Sequence, residues 1–200
     1  MKDKIIEKST EMFLIQGAKG LTMDIIAHEM GISKKTIYKY FNTKRELVEA
    51  GSEYLFHKIT SGIYKIMELD ENPIKEIYLI KDFVFNVLKS ENTSPYFQFQ
   101  KYFPKIYKSL ITRQFDEMNK CITKNIKKGM ELGLYRNEIN IELISRFFFI
   151  GINNIKDITI FNPKHFRVIE VQEAYLNFYL RAICTQKGLD YLNNHKNLSY

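Results

Sequence analysis

The sequence predicts an all-α protein in which a short N-terminal helix-turn-helix is joined by a long helix to a larger helical region. Apolar residues recur at helical spacing through most of the 200 residues. Strand signals are sparse after Asn72, and each of the four prolines fits the start or the break of a helix. A hydrophobic content of 45 per cent indicates a compact globular chain rather than a disordered one.

The N-terminal pattern predicts three short helices. The first covers residues 3–16, a second begins after Thr22, and the third covers residues 34–41. Gly31 lies where the chain must turn out of the second helix, because glycine enters the left-handed region without strain. Ser33 is placed to cap the third helix. The small side chain of Ala27 allows two helices to cross closely, as a helix-turn-helix requires.

The outer face of the third helix is predicted to be cationic, hydroxylated and aromatic. It consists of Lys34, Lys35, Thr36, Tyr38, Lys39 and Tyr40. Residues 34–45 contain five cations and no acidic residue, although only +2 of the net charge of +7 lies in the first fifty residues. Such a local field suits a polyanion, and a helix fits the major groove of DNA. An isolated charge run is more often a solvated face, but its place on a helix-turn-helix favours DNA.

The N-terminal segment resembles the TetR family of bacterial transcriptional repressors, closely over roughly residues 3–50 and only in layout beyond them. The resemblance is carried by Thr22, Ile26-Ala27, Gly31-Ile32-Ser33, Ile37-Tyr38-Lys39-Tyr40-Phe41, Lys44 and Leu47. It implies phosphate contacts by Thr22, Tyr38, Tyr40 and Lys44. Lys35 and Thr36 are the candidates for base edges, and Lys34, Lys39 and Ser33 complete the expected DNA-binding set.

The expected domains are a helix-turn-helix DNA-binding domain at 1–46 and a helical effector-binding and dimerisation domain at 47–200. A capping box from Thr43 to Glu46 starts the long connecting helix, which continues to about Glu68. Further helices are expected near 74–90, 96–110, 112–131, 141–158 and 165–186, followed by a polar tail after Lys187.

The last two long helices carry more apolar surface than one chain needs. The family resemblance implies that they form a four-helix interface between two copies, and two recognition helices in successive major grooves also require a dimer. The candidate interface residues are Phe147, Ile150, Gly151, Asn154, Val171, Ala174, Tyr175 and Phe178. The alternative is that these residues are intramolecular core.

Aromatic and sulphur-containing residues between Phe83 and Phe149 are candidates for an effector pocket. They are Phe99, Tyr102, Phe103, Tyr107, Met118, Cys121 and Phe148. The resemblance implies a small-molecule inducer there, and the scarcity of charges favours a neutral or apolar one. An aromatic stripe at helical spacing is, however, more often core than pocket.

Other classes of protein find little support in the sequence. The four histidines are scattered, and we expect no enzyme, no metal site and no cofactor. The two cysteines lack metal-ligand spacing and suggest reduced thiols in the cytoplasm. The longest apolar run is too short to span a membrane. The alternative function is a helix-turn-helix DNA-binding protein controlled by a protein partner, or without a small-molecule ligand.

Overall fold

The computed structural model describes residues 1–17, 19–88 and 94–194, and it shows an all-α fold over this part of the chain. The helices are α1 Lys2–Gln16, α2 Met23–Glu29, α3 Lys34–Tyr38, α4 Lys44–Met67, α5 Pro73–Leu88, α6 Ser94–Tyr102, α7 Pro104–Glu131, α8 Ile141–Asn154, α9 Val168–Ile183 and α10 Gln186–Asn194. The expected fold class is therefore confirmed.

The chain divides into two compact units that do not follow chain order. Unit 1 consists of Met1–Thr60 and Asn92–Arg113, and unit 2 of Ser61–Glu91 and Gln114–Tyr200. The start of α7 and all of α6 thus belong with the N-terminal helices. The division of the chain at residue 46 stays a prediction.

The core of unit 1 is the apolar interior of the first four helices. It contains Ile5, Met12, Leu21, Met23, Ile26, Ala27, Ile37, Phe41 and Leu47. Helix α6 packs on α1 through Gln98, whose Oε1 accepts a hydrogen bond from Lys19 N at 2.9 Å. Gly17 makes this approach possible, because its φ is +76° and a Cβ there would lie 2.5 Å from that same oxygen.

The core of unit 2 is larger and includes a buried polar network. Asn125 Nδ2 donates to Glu76 Oε1 at 2.7 Å and to Pro73 O at 2.9 Å. The Tyr135 hydroxyl donates to Asn125 Oδ1 at 3.2 Å. These bonds satisfy polar groups that would otherwise destabilise the interior. Burial nevertheless raises the pKa of Glu76, because desolvation disfavours the carboxylate.

Helices α8 and α9 pack against each other through a glycine. A Cβ on Gly151 would lie 2.2 Å from the Tyr175 ring, so the ring occupies the space that a larger side chain would need. The Tyr175 hydroxyl donates to Phe147 O at 3.0 Å and to Phe148 O at 3.1 Å. Tyr175 therefore fixes α9 to α8 within one chain.

Several of the expected helix boundaries are wrong. The break expected near residue 111 lies at Phe103, because Pro104 can start a helix but cannot continue one, and α7 then runs unbroken from Pro104 to Glu131. The helix expected at 141–158 ends at Asn154, and the one expected to begin at 165 begins at Val168. The expected polar tail is instead α10, which buries Gly188 and Leu192.

Candidate nucleic-acid interface

The turn between α2 and α3 is built from side-chain caps and one glycine. Thr22 Oγ1 accepts from Ile25 N at 3.2 Å at the start of α2, and Ser33 Oγ accepts from Thr36 N at 3.1 Å at the start of α3. Between them Gly31 has a φ of +62°, and Ile32 N donates to Ala27 O at 3.0 Å. These bonds hold α3 at a defined position after α2.

One side of α3 is anchored in the core of unit 1. Ile37 is fully buried, and Phe41 is 4 per cent exposed. Helical turns continue beyond the end of α3, since Lys39 N donates to Lys35 O at 3.1 Å and Phe41 N donates to Ile37 O at 3.1 Å. The anchor therefore holds the whole segment from Lys34 to Phe41, with its opposite side turned outward.

The outward side presents the expected cationic and aromatic residues. Lys34, Lys35 and Lys39 are exposed and Thr36 is half-buried. Tyr38 is 43 per cent exposed and Tyr40 is 42 per cent exposed. This surface, Lys34–Tyr40 without Ile37, is hereafter called the α3 face. It offers ammonium, hydroxyl and aromatic groups to a partner, and no carboxylate belongs to it.

An ion pair that the sequence did not predict lies at the edge of the α3 face. Lys34 Nζ donates to Asp24 Oδ2 at 2.8 Å, and the same ammonium lies 5.9 Å from the centre of the Tyr38 ring. The hydrogen bond to Asp24 raises the pKa of Lys34. Asp24 lies in the first turn of α2, so this bond fixes the direction of a lysine on the neighbouring helix.

The start of α4 lies next to the α3 face in sequence and carries two further cations, Lys44 and Arg45. Glu46 N donates to Thr43 Oγ1 at 3.2 Å, as a capping box requires. The Glu46 carboxylate accepts from Asn42 N at 2.9 Å. Lys44 is half-buried, and burial lowers its pKa because desolvation disfavours the charged form.

The candidate effector residues are divided between the two units. Phe99, Tyr102, Phe103 and Tyr107 belong to unit 1, and Met118, Cys121 and Phe148 belong to unit 2. The Phe99 ring lies 6.2 Å from the rings of both Phe103 and Tyr107. Phe148 is buried, with its ring 4.8 Å from that of Tyr179. Burial raises the pKa of the Cys121 thiol to about 11, which keeps it protonated at neutral pH.

The candidate dimer residues fall into two groups. Phe147, Ile150 and Phe178 are 59, 56 and 72 per cent exposed, and Asn154 and Ala174 are also exposed. Val171 is buried in the chain's own core, and Gly151 and Tyr175 contact each other, as described above. The surface of α8 and α9 that a second copy can contact therefore includes fewer residues than the candidate set.

No helix among the described residues is both long and apolar enough to cross a bilayer. Within the same residues, histidine, cysteine and carboxylate side chains form no group of three that could hold a metal ion.

Comparison with known proteins identifies the N-terminal segment. Residues 5–50 match the model of the bacterial regulatory proteins of the tetR family. IcaR of Staphylococcus aureus strain Newman, the negative transcriptional regulator of the biofilm operon icaADBC, is 26 per cent identical over 129 residues, which cover 64 per cent of this chain and 68 per cent of IcaR. The nucleoid occlusion factor SlmA of Aliivibrio fischeri strain MJ11 is 28 per cent identical over 80 residues, which cover 40 per cent of this chain and 41 per cent of SlmA.

Solved structures share the fold over nearly the whole chain. SmeT, the repressor of the Stenotrophomonas maltophilia multidrug efflux pump SmeDEF, superimposes with a TM-score of 0.69 at 12 per cent identity, covering 93 per cent of this chain and 91 per cent of SmeT. The helix-turn-helix geometry, the matched segment and the regulators among the relatives agree. The N-terminal segment of this chain, residues 5–50, thus belongs to the tetR family of bacterial regulatory proteins, and the chain is a DNA-binding regulator of transcription.

Proposed function

We propose that this protein is a cytoplasmic repressor that binds a palindromic operator as a homodimer and is released from it by a small neutral or apolar effector. The observation that supports this proposal best is the α3 face. An exposed cationic and hydroxylated surface, anchored from behind by Ile37, has the shape and charge that a major groove accepts.

The contacts on DNA are divided by position along the helix-turn-helix. Lys35 and Thr36 lie in the first turn of α3, where residues of a recognition helix reach base edges. The Lys35 ammonium suits the acceptors of guanine, and the Thr36 methyl group suits that of thymine. Ser33 Oγ already caps α3 and lies 2.8 Å from Thr36 Oγ1, so it orients the threonine.

The residues around Lys35 and Thr36 are assigned to contacts with backbone phosphates. Thr22, Tyr38, Tyr40 and Lys44 offer hydroxyl or ammonium donors, and such contacts fix the position of a protein on the duplex. Lys39 is exposed and serves either a phosphate or a base. Lys34 acts from the edge, where Asp24 holds it.

Dimerisation is assigned to the exposed apolar surface of α8 and α9. Phe147 and Ile150 lie on one side of α8, with Leu143 one turn earlier and also half exposed. Phe178 of α9 is the most exposed of the large apolar candidates. Large apolar side chains that remain outside a folded chain mark an interaction surface, and a twofold symmetric pair would bury both copies of this one.

Release by an effector is a population shift between two forms of the dimer. In one form the spacing of the two α3 faces matches the operator, and in the other it does not. An effector weakens DNA binding only by the ratio of its affinities for the two forms. The candidate residues favour a neutral or apolar molecule, because their side chains are aromatic, thioether or protonated thiol groups.

Selection of bound sites from random duplex DNA tests the proposal. A homodimer of this kind should enrich an inverted repeat whose half-sites lie about 34–36 Å apart, or one helical turn. Enrichment of a single unrepeated site would contradict the dimer, and the absence of any enriched sequence would contradict sequence-specific reading.

A second candidate function is that of a helix-turn-helix DNA-binding protein that is controlled by a protein partner or that has no small-molecule ligand. It is favoured by the division of the candidate effector residues between two compact units. A thermal-shift screen with small apolar compounds separates the two candidates. A ligand at a hundred times its Kd should stabilise the fold by about 2.7 kcal/mol, whereas a protein without a pocket should show no shift with any compound.

A further inference from the structure

The net charge of the protein is concentrated in unit 1. Most of the net charge of unit 1 comes from the segment 92–113 and not from the N-terminal helices. Unit 1 contains fourteen Lys or Arg and eight Asp or Glu, a net charge of +6, whereas unit 2 contains sixteen and fifteen, a net charge of +1. The segment 92–113 contributes four cations and no acidic residue. Two thirds of the charge of unit 1 therefore lies outside the helix-turn-helix.

Three of these four cations are available to a partner. Arg113 is engaged, because its guanidinium donates to Glu53 and lies 4.2 Å from the centre of the Phe56 ring. Lys101, Lys105 and Lys108 are exposed, and none of them forms an ion pair within the part of the chain that the structure describes. These three residues are hereafter called the α6–α7 lysines.

The α6–α7 lysines are connected to the start of α4 by a cleft inside unit 1. Arg45 and Lys105 both line this cleft, which has a volume of about 100 Å³. Glu49 and Glu53 also line it, but Arg113 already neutralises Glu53. With Arg113 counted, three cations therefore face two carboxylates at the cleft, and one of these cations is Arg45, the neighbour of the phosphate candidate Lys44.

A second contact holds this segment close to the helix-turn-helix. Lys19 N donates to Gln98 Oε1, and Lys19 precedes the start of α2 by only a few residues. The segment is therefore held near both ends, by Gln98 to the loop before α2 and by Arg113 to Glu53 of α4. Exposed ammonium groups on this segment of unit 1 add to the positive electrostatic field of the α3 face.

We propose that the α6–α7 lysines form a second DNA-contacting surface, which binds backbone phosphates of the duplex that flanks the half-site read by the α3 face. This inference rests on the proposed function, since it assumes that the α3 face lies in the major groove. Each phosphate contact releases condensed counterions from DNA, so the surface contributes affinity and salt dependence but no base preference.

The test compares the salt dependence of DNA binding in two triple variants of the full-length protein. The first is Lys101→Gln, Lys105→Gln, Lys108→Gln. The matched control is Lys124→Gln, Lys127→Gln, Lys164→Gln, which removes the same charge from exposed positions of unit 2. The probe is a mixed-sequence duplex of about four helical turns, measured by fluorescence anisotropy over a series of KCl concentrations.

The first variant should reduce the slope of log K against log salt by about one to three and weaken binding about tenfold at moderate salt. The control should keep the slope of the unmodified protein. Equal slopes in the first variant and the unmodified protein would overturn the inference and would direct attention to an acidic protein partner. Equal reductions in the two variants would also overturn it, because net charge alone would then explain the change.

The two failures can be told apart. If the unmodified protein shows no salt-dependent binding to the duplex, the proposed function itself is wrong. If it binds and Lys44→Ala weakens it, while the first variant behaves like the unmodified protein, only the second surface is wrong. Hydroxyl-radical footprints on a selected operator give an independent readout, since the first variant should lose protection outside the half-sites and keep it inside them.

Discussion

The α3 face of unit 1 and the surface of α8 and α9 in unit 2 both expose large side chains, but of different kinds. On unit 1 the exposed rings of Tyr38 and Tyr40 stand among lysines, whereas on unit 2 the exposed side chains of Phe147, Ile150 and Phe178 are purely apolar. The net charges, +6 and +1, follow the same division. A polyanion is the fitting partner for the first surface, and a second copy of the chain is the fitting partner for the other.

The interiors of the two units differ as well. Ser9 and Thr10 are buried in unit 1, and the hydroxyls of both donate to Ile6 O of their own helix. Among the described residues, the buried carboxylate Glu76 and the buried ammonium Lys81 both belong to unit 2. Unit 1, which carries the α3 face, therefore has an uncharged core among the described residues, whereas the core of unit 2 contains ionisable groups.

The largest expected effect concerns the core behind the α3 face. Ile37→Ala should destabilise the protein by about 2–5 kcal/mol, because it opens a cavity at a fully buried position. Ile25→Ala is the control, since Ile25 is 39 per cent exposed, and it should cost less than about 1 kcal/mol. Urea denaturation measures both. Similar losses for the two variants would contradict the anchoring of α3 by Ile37.

A charged substitution tests the proposed role of the apolar surface of unit 2 in dimerisation. Phe178→Asp should weaken the proposed dimer by about 2 kcal/mol, or about thirtyfold, because it would place a carboxylate in the apolar surface that the second copy is proposed to bury. Analytical ultracentrifugation measures the dissociation constant. Leu69→Asp alters another exposed apolar residue of unit 2, outside α8 and α9, and should leave the dimer intact. A dimer that tolerates Phe178→Asp would place the interface elsewhere.

Two substitutions in unit 1 should affect DNA binding in different ways. Lys44→Ala should weaken binding to all duplexes and reduce the salt slope by about one, because it removes a phosphate contact. Thr36→Ala should change the preference at one base step by about 1–3 kcal/mol. Competition between operator and random DNA distinguishes them. Equal loss of affinity for both DNAs in the Thr36 variant would contradict its assignment to a base.

The smallest expected effect is a pH dependence in the core of unit 2. Because the pKa of Glu76 is raised in the folded state, the folded chain holds this proton more tightly than the unfolded chain does. Its contribution to stability is therefore lost as the pH rises from the ordinary value of 4.5 through the folded pKa. Glu76→Gln retains an acceptor for Asn125 Nδ2 and removes the titration.

Relative to the unmodified protein, the Glu76→Gln variant should become more stable as the pH rises from about 4 to 7. Chemical denaturation at several pH values measures this difference. Glu68→Gln, at an exposed position of unit 2, serves as the comparison. A constant difference between the Glu76 variant and the unmodified protein would show that the two folding states titrate alike at this position.

Local signals in the sequence were sufficient for unit 1 but not for the arrangement around it. The capping residues Thr22 and Ser33 and the turn at Gly31 act over three or four positions, so the sequence predicted them correctly. The contact of Gln98 with Lys19 joins residues 79 positions apart, and no periodicity reveals such a pair. The ion pair of Lys34 with Asp24 was missed for the same reason, since it links two different helices.

In unit 2 helical spacing identified the apolar helices but not which of their faces would be covered. Phe147 and Phe148 are neighbours in sequence, and only the fold shows that the first is exposed and the second buried. The signal for the α6–α7 lysines was present in the sequence as 24 residues, 92–115, without an acidic side chain. It is interpretable only once the fold assigns residues 92–113 of that stretch to unit 1.

The pairing of Lys34 with Asp24 has a consequence for the thermodynamics of DNA binding. A free lysine that meets a phosphate displaces condensed cations from the duplex, and their dilution into the solvent drives association. Lys34 already has an aspartate as its neutralising ion. A contact of Lys34 with DNA would therefore release few of these cations, and it would contribute to the orientation of the α3 face rather than to the entropy of association.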